Sequence, residues 1–474
     1  MSAILAAAAI ALSGAAVAAF VPVRGATRAA FALLFGLGIW SASYAAVLFI
    51  AGNTPRTILL KDAVVAAAGA ALLIARRGRA CAVFNDAQVV ESAPGWPRGA
   101  AIAAAVIATA FFVEHTFRNP DGGWDAWAIW NLRARFLARS GEDFRAAFSP
   151  DLLFWAHQDY PLLVPGIVAQ AFLLWGKQPL WIPALVSYAL AALCVAVLAG
   201  AAAELRRPPW GGLAALALLA TPCFVGFAAN QQSDVPVAAL MLAASALTAF
   251  GIESRQRSCF AVAGISASLA AWTKNEGGVY LVCFALGLAA IRWAPARERF
   301  RSLVAFACGA APVVALLIYF KFAIAHVNDL VSEPSAGRLF DVSRWGELGL
   351  ALARRAIFFQ SWGVWLVAEV VVLALVVPRL PPRPAARTLG VALVLAFAAT
   401  LPIYVLQPHP LLWFFRASID RVLIQLWPSI LLATALAIVP RGADVQEAGG
   451  RPSLGELTDA IGASPSPQAS ANDR

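Results

Sequence analysis

The residues best suited to chemistry lie in a polar loop, residues 118–159, between two strongly apolar stretches. Asp125 stands there among three tryptophans at positions 124, 127 and 130, and Asp121 precedes it. A carboxylate can take the proton of a hydroxyl group and make it a nucleophile, and tryptophan is enriched at membrane–water interfaces. The loop therefore predicts an acidic residue at a membrane surface, placed to act on a lipid-linked substrate.

The segment from about 125 to 139 has the spacing of an amphipathic helix. Its apolar residues recur at helical intervals at 129, 132, 136 and 137, against arginines at 133, 135 and 139. This pattern is typical of a helix in a membrane interface, with its aromatic side toward the membrane and its arginines toward lipid phosphates. Arg133 is therefore a candidate for phosphate binding.

Two further charged positions fall at the ends of apolar runs. Asp234 precedes Pro236 at a predicted helix start, where it either caps the helix or serves a functional site, and the two roles are compatible. Lys274 and Glu276 join two apolar runs. They either pair with each other or water in a tight turn, or Lys274 offers a point charge to a phosphate, which its place on the face of the polar loop favours.

The remaining candidates are less specific. Arg421 opens the last apolar helix beside Asp420, either as a surface ion pair or as part of a site. His157 and Asp159 precede Tyr160, although a lone histidine is more often structural. No nucleotide-binding glycine loop, HExxH motif or paired cysteine motif is present. The sequence thus indicates no particular cofactor. A divalent cation stays open as an alternative, although the acid cluster is too sparse to demand a metal.

The elements that carry these residues are transmembrane helices. Hydrophobic residues make up 61% of the chain and charged residues 13%, about half of the charged fraction usual in soluble domains. We predict an all-α, polytopic transmembrane bundle of about 13 helices, with a large outer loop that carries interfacial amphipathic helices. The net charge of +10 then reports orientation and attraction to anionic lipid, not nucleic-acid binding.

The predicted organisation has three parts: N-terminal helices over 1–98, a main membrane domain over 99–440, and a disordered cytoplasmic tail over 441–474. Residues 160–176 are short and contain two prolines, so they either cross the membrane or form a re-entrant segment. If they do not cross, most arginine-rich loops fall on the cytoplasmic side. The loops that then share the opposite face are 118–159, 229–234, 273–277, 326–355 and 408–419.

The order of these motifs is similar to that of a known group. An acidic loop, Tyr160-Pro161-Leu162, the helix start at Asp234, the turn at Lys274 and the late helix with Arg421 together resemble the GT-C superfamily of membrane glycosyltransferases, over roughly 100–440. Within it, the closest resemblance is to glycosyltransferase family 39, which contains protein mannosyltransferases and lipid A aminoarabinose transferases. Two departures are the lack of an adjacent acidic pair and about three extra helices before the loop.

The resemblance implies transfer of a sugar from a polyprenyl-phosphate donor to a glycolipid, glycan or protein, with inversion, on the extracytoplasmic face of a bacterial-type inner membrane. The implied catalytic base is Asp125, with Asp121 as the fallback. Lys274, Arg421 or an arginine of 133–139 would stabilise the departing phosphate. The predicted substrate-binding residues are His157, Asp159, Tyr160, Asp234, Lys274, Glu276, Arg421 and Arg133.

Two other classes stay open. A lipid-linked glycan ligase or polymerase would rely on a histidine and arginines of a late outer loop, for which His326, Arg338, Arg354 and Arg355 are available. A transporter or flippase would show internal repeats and helices broken at mid-membrane. No repeat is evident in the sequence, and the polar residues gather on one face.

Overall fold

The computed structural model describes residues 2–77, 95–139, 143–149, 151–152, 156–206, 208–325, 336–358, 383–408 and 410–438. Residues 2–437 group into one compact unit. The predicted tail at 441–474 and His326 lie outside the described residues.

The described part of the chain contains sixteen α-helices and no strands. The first eight are α1 (Ser2–Ala18), α2 (Gly25–Ala51), α3 (Pro55–Ala75), α4 (Trp96–Arg118), α5 (Asn131–Arg139), α6 (Leu163–Trp175), α7 (Trp181–Leu205) and α8 (Pro208–Leu219). The next eight are α9 (Pro222–Ala229), α10 (Asp234–Ser254), α11 (Arg257–Ala271), α12 (Asn275–Ala290), α13 (Ala296–Tyr319), α14 (Val342–Phe358), α15 (Pro384–Leu406) and α16 (Leu411–Ala437).

Within these residues, eight helices are long and apolar enough to cross a membrane, or nine if α8 and α9, which meet at a 66° bend, form one span. Four shorter apolar helices, α1, α6, α11 and α12, accompany them. Backbone hydrogen bonds satisfied within each helix are what a hydrocarbon environment requires. The prediction of an all-α polytopic membrane protein is confirmed.

The core of the bundle is α10, whose apolar window is completely buried. It packs against α7, α11 and α16. Small residues allow close helix packing nearby: a Cβ atom at Gly264 of α11 would lie 2.0 Å from the Phe306 carbonyl oxygen of α13. In membranes such small-residue contacts substitute for a hydrophobic driving force between helices.

The ambiguous segment 160–176 forms α6, which has 13 residues and a length of only about 20 Å, too short to cross the roughly 30 Å hydrocarbon core. Its first residue, Leu163, donates a backbone hydrogen bond to the Trp272 carbonyl. Just beyond its end, Gln178 accepts one from Arg139 of the outer loop. Both ends of α6 therefore contact elements from the same end of the bundle, which favours the re-entrant alternative.

That end of the bundle also brings the predicted outer loops together. The backbone of Gly123 bonds to the Asn230 carbonyl at 2.9 Å, and His115 at the end of α4 bonds to the Asn230 side chain at 2.8 Å. Gly122 has φ +78°, and a Cβ there would lie 2.9 Å from the same carbonyl. This turn requires glycine, and it delivers the next residues, including Asp125, to the loop before α10.

Candidate functional site

The centre of the site is an arginine between two carboxylates. Arg421 of α16 places Nη2 2.6 Å from Oδ2 of Asp125 and Nε 3.3 Å from Oδ2 of Asp234. Asp125 precedes a π-helical turn at Ala126–Trp130, a distortion frequently found at functional sites. Three segments remote in sequence thus meet through one guanidinium group.

Asp234 extends this contact into the bundle. Its Oδ1 is 2.8 Å from Lys274 Nζ and accepts a hydrogen bond of 2.7 Å from Gln425 Nε2. Lys274 also lies 2.9 Å from Glu276 Oε1. Asp234 and Lys274 are fully buried, whereas Glu276 and Arg421 are partly accessible. The buried carboxylate is compensated from both sides by cations, as burial of a charge requires. We define these five side chains, Asp125, Arg421, Asp234, Lys274 and Glu276, as the charge network.

The geometry bears on three alternatives that the sequence left open. Asp234 is the first residue of α10, but its side chain contacts Lys274, Arg421 and Gln425, and the position before it, Ser233, is the N-cap. Lys274 pairs with Glu276, as the tight-turn alternative expected, but also with Asp234. Arg421 does not pair with its neighbour Asp420 among the described residues. Its contacts are with Asp125 and Asp234, while Asp420 pairs with Arg355 of α14.

Tyr160 lies beside the network in an aromatic stack. Its ring is 5.3 Å from that of Trp130 and 4.6 Å from that of His157, both nearly parallel. Lys274 Nζ lies 5.9 Å from the Tyr160 ring centroid. Burial raises the pKa of the Tyr160 phenol well above its usual value. Tyr160 therefore packs beside Lys274 of the network, and His157, whose backbone has φ +45°, stacks on Tyr160.

Arg133 does not take the position that the helical pattern predicted. Its guanidinium donates hydrogen bonds to the carbonyls of Ala156, His157 and Tyr160 at 2.8–2.9 Å. The side chain is buried, which lowers its pKa to about 10. Arg133 therefore fixes the loop that carries Tyr160, and its guanidinium is directed into the protein and not toward lipid phosphates.

A second group of charged residues, Asp159 and Lys321, lies next to this loop. The sequence analysis identified Asp159 but not Lys321. Asp159, a predicted binding residue, accepts a hydrogen bond of 2.7 Å from Asn275 and lies 3.1 Å from Lys321 Nζ. Lys321 sits in a π-helical turn, Phe320–Ile324, at the end of α13. A lysine within an apolar span is costly, and this was the signal that could have identified Lys321.

The two candidate aspartates of the outer loop occupy different environments. Asp121 is half exposed, with 50% of its side-chain surface accessible, and its partner Arg135 is 3.4 Å away. Asp125 has 14% accessible and belongs to the charge network. The structure thus brings Asp125, and not Asp121, together with Asp234, Lys274, Glu276 and Arg421.

The sequence analysis also missed a buried ion pair in the membrane part of the bundle. Lys61 and Asp62 of α3 lie 2.6 Å apart and are both inaccessible. Trp40 Nε1 donates to Asp62 at 2.8 Å, and Lys61 donates to Gln170 of α6. The pair of charged residues within an apolar run was the available signal. This cluster connects α2, α3 and the short helix α6.

Polar atoms around the charge network provide places for a bound polar substrate. Oε2 of Glu276 and Nε1 of Trp130 are buried without a hydrogen-bond partner among the described residues, a costly state in the absence of a ligand. The described ranges contain no group of three or more His, Cys, Asp or Glu side chains that could hold a metal ion. The site therefore combines a loop carboxylate, a partly accessible guanidinium and unpaired donors and acceptors.

The long apolar helices define a multi-pass membrane protein, and the charge network lies at one end of its helical bundle. The family model described as dolichyl-phosphate-mannose-protein mannosyltransferase matches residues 159–321, about a third of the chain. The match supports a membrane glycosyltransferase of the GT-C type that uses a lipid-linked sugar donor, which confirms the resemblance predicted from the sequence. Neither the curated proteins nor the solved structures gave a match.

The matched segment includes part of the site. Asp159, Tyr160, Asp234, Lys274 and Glu276 lie within it. Asp125 and Arg421 lie outside it, and their connection to the matched segment is the ion pair of Arg421 with Asp234.

Proposed function

We propose that this protein transfers a sugar from a polyprenyl-phosphate donor to an extracytoplasmic acceptor, with inversion, and that Asp125 is the base. The observation that carries the proposal is the position of Arg421 between Asp125 and Asp234. It places a cation suited to a phosphate next to a partly accessible carboxylate. The proposal locates the site at the extracytoplasmic surface of a bacterial-type inner membrane, because the arginine-rich loops lie at the other end of the bundle.

The steps follow from the chemistry of the donor. The acceptor hydroxyl attacks the anomeric carbon, the bond from that carbon to the phosphate oxygen breaks, and the electron pair leaves with polyprenyl phosphate. Asp125 takes the proton of the attacking hydroxyl. Arg421 faces the negative charge that develops on the phosphate, and a guanidinium can bind two phosphate oxygens at once.

Lys274 has a different part in this proposal from the one the sequence indicated. Its ammonium group is buried and already lies within 2.9 Å of two carboxylates, Asp234 and Glu276. We assign it the positioning of Asp234, which in turn holds Arg421. Glu276 and Trp130 keep unpaired polar atoms and are our candidates for contact with sugar hydroxyls. Asp159, His157 and Tyr160 shape the adjoining wall.

The test is an assay of transfer with the full-length protein in membranes. A panel of radiolabelled polyprenyl-phosphate sugars is offered to the wild type, Asp125→Asn and the matched control Asp121→Asn, and label is followed into lipid, glycan and protein fractions. We expect Asp125→Asn to lower transfer by about 10²- to 10⁴-fold, the usual contribution of a general base, and Asp121→Asn to retain most of it. Equal transfer by Asp125→Asn and the wild type would overturn the assignment of the base.

The matched family favours this function over a transporter or a glycan ligase. Of the arginines considered for a ligase, Arg338 donates to the Leu406 carbonyl and Arg355 pairs with Asp420. Both thus connect α14 and its preceding turn to α15 and α16.

A further inference from the structure

A cavity separate from the charge network lies between α14 and α16. Its volume is about 240 Å³. Its lining combines three arginines, Arg354, Arg355 and Arg416, with the apolar side chains Leu350, Phe415 and Ile419. Glu347 is the acidic residue of the lining, so the wall carries an excess of positive charge.

Each of the two helices contributes one face to this lining. Glu347, Ala351 and Arg354 of α14 are spaced three to four residues apart, as are Leu412, Phe415 and Ile419 of α16, so each set lies on one helix face. Arg355 is held by Asp420. Arg354 and Arg416 are exposed and make no hydrogen bond or ion pair with the other residues that the structure describes. Two guanidinium groups are therefore available to a ligand.

The cavity and the charge network use different faces of α16. Asp420, whose partner lines the cavity, and Arg421, which holds Asp125 and Asp234, are consecutive residues, and consecutive helical positions point about 100° apart. An anion in the cavity and a donor phosphate at Arg421 can therefore be bound at the same time.

We propose that this cavity binds the phosphate headgroup of a second lipid, distinct from the sugar donor. Arginine is suited to bidentate phosphate binding, and the apolar wall suits the adjoining acyl or prenyl chain. This deepens the proposed function and rests on it for the assignment of the donor to Arg421. The nearest lining residue of α16, Ile419, is two positions before Arg421 of the charge network, so a lipid held here lies close to the place where an acceptor or an accessory lipid would be needed.

The test is a binding measurement with the full-length protein in phosphatidylcholine nanodiscs. The probes are a labelled short-chain phosphatidylglycerol, a short-chain phosphatidylcholine and inorganic phosphate. We expect the double variant Arg354→Gln/Arg416→Gln to bind phosphatidylglycerol at least tenfold more weakly than the wild type. Arg297→Gln removes an exposed arginine at the opposite end of the bundle, without a described partner, and should leave the affinity within twofold.

Three results would overturn the proposal: equal phosphatidylglycerol binding in the double variant and the wild type, complete displacement by saturating polyprenyl phosphate, or equally tight binding of inorganic phosphate. The first excludes the cavity, the second makes it part of the donor site, and the third removes the need for a lipid. The single variant Arg416→Gln serves if the double variant does not fold. Binding measured in Asp125→Asn separates the two proposals, because a wrong base assignment leaves this cavity unaffected.

Discussion

Asp125, at the start of the outer-loop helix, lies 2.6 Å from Arg421 on the last helix of the bundle. This contact joins a residue of the first large loop to a residue of α16, and Arg421 continues it to Asp234 in the core. The loop carboxylate is therefore held at a fixed position relative to the membrane helices.

Replacing Arg421 by lysine should impair transfer although the charge is retained. A lysine has one ammonium group and cannot reproduce the separate contacts of Nε and Nη2 with two carboxylates. We expect Arg421→Lys to lower kcat/KM by at least tenfold and Arg421→Gln to lower it further. The measurement is transfer kinetics with a polyprenyl-phosphate sugar.

The control for this pair is Arg297→Lys, an exposed arginine near the start of α13 and outside both proposed binding sites. It should keep kcat/KM for the donor within about threefold. Full activity in Arg421→Lys would show that a positive charge alone suffices and that the two-carboxylate geometry is not needed.

Removing Lys274 should destabilise the folded protein. Lys274→Met leaves the buried Asp234 with Arg421 and Gln425 as its remaining partners. Breaking a buried ion pair costs about 3–5 kcal/mol, and we expect the lower end of this range because two partners remain. Thermal unfolding of the purified protein in detergent measures the effect.

A second variant separates charge from packing at Lys274. Lys274→Met combined with Asp234→Asn removes the buried charge together with its partner, so it should be more stable than Lys274→Met alone. If the double variant is less stable than the wild type by the full sum of the two single-variant changes, the two residues do not interact as the 2.8 Å contact indicates.

The ion pair between Lys61 and Asp62 should hold α6 in its place in the bundle. Lys61→Met removes the contact with Gln170 and leaves Asp62 with Trp40. We expect a lower Tm and faster proteolysis in the 156–178 region. Lys177→Met, an exposed lysine just after α6, is the matched control and should behave as the wild type. Unchanged proteolysis in Lys61→Met would contradict a role in holding α6.

Tyr160 should not titrate in the accessible pH range. Burial raises the pKa of its phenol well above the usual value, so the proton stays on the folded protein at pH values where an exposed tyrosine would lose it. Tyr160→Phe should therefore leave the alkaline limb of the pH–rate profile unchanged. A limb that disappears in Tyr160→Phe would show that this phenol ionises during turnover.

Several features were within reach of the sequence because they depend on local composition. Apolar runs of sufficient length predicted the helices, since a bilayer admits helical spans whatever their neighbours. The polar loop and its Asp125, the helix start at Asp234 and the turn at Lys274 were found because charged residues are rare in such a chain. The resemblance rested on the order of the motifs, and the family match at 159–321 includes those at Asp234 and Lys274.

Other features depended on which helices pack together, and only the tertiary structure decided them. Arg421 could pair with its neighbour Asp420 or with a distant group, and the rotation of α16 against α10 directed it to Asp125 and Asp234. Arg133 points inward, where its guanidinium donates hydrogen bonds to three carbonyls of the segment 156–160. Spacing along one helix fixes which residues share a face, but the partner of that face is set by long-range packing, which a local pattern does not encode.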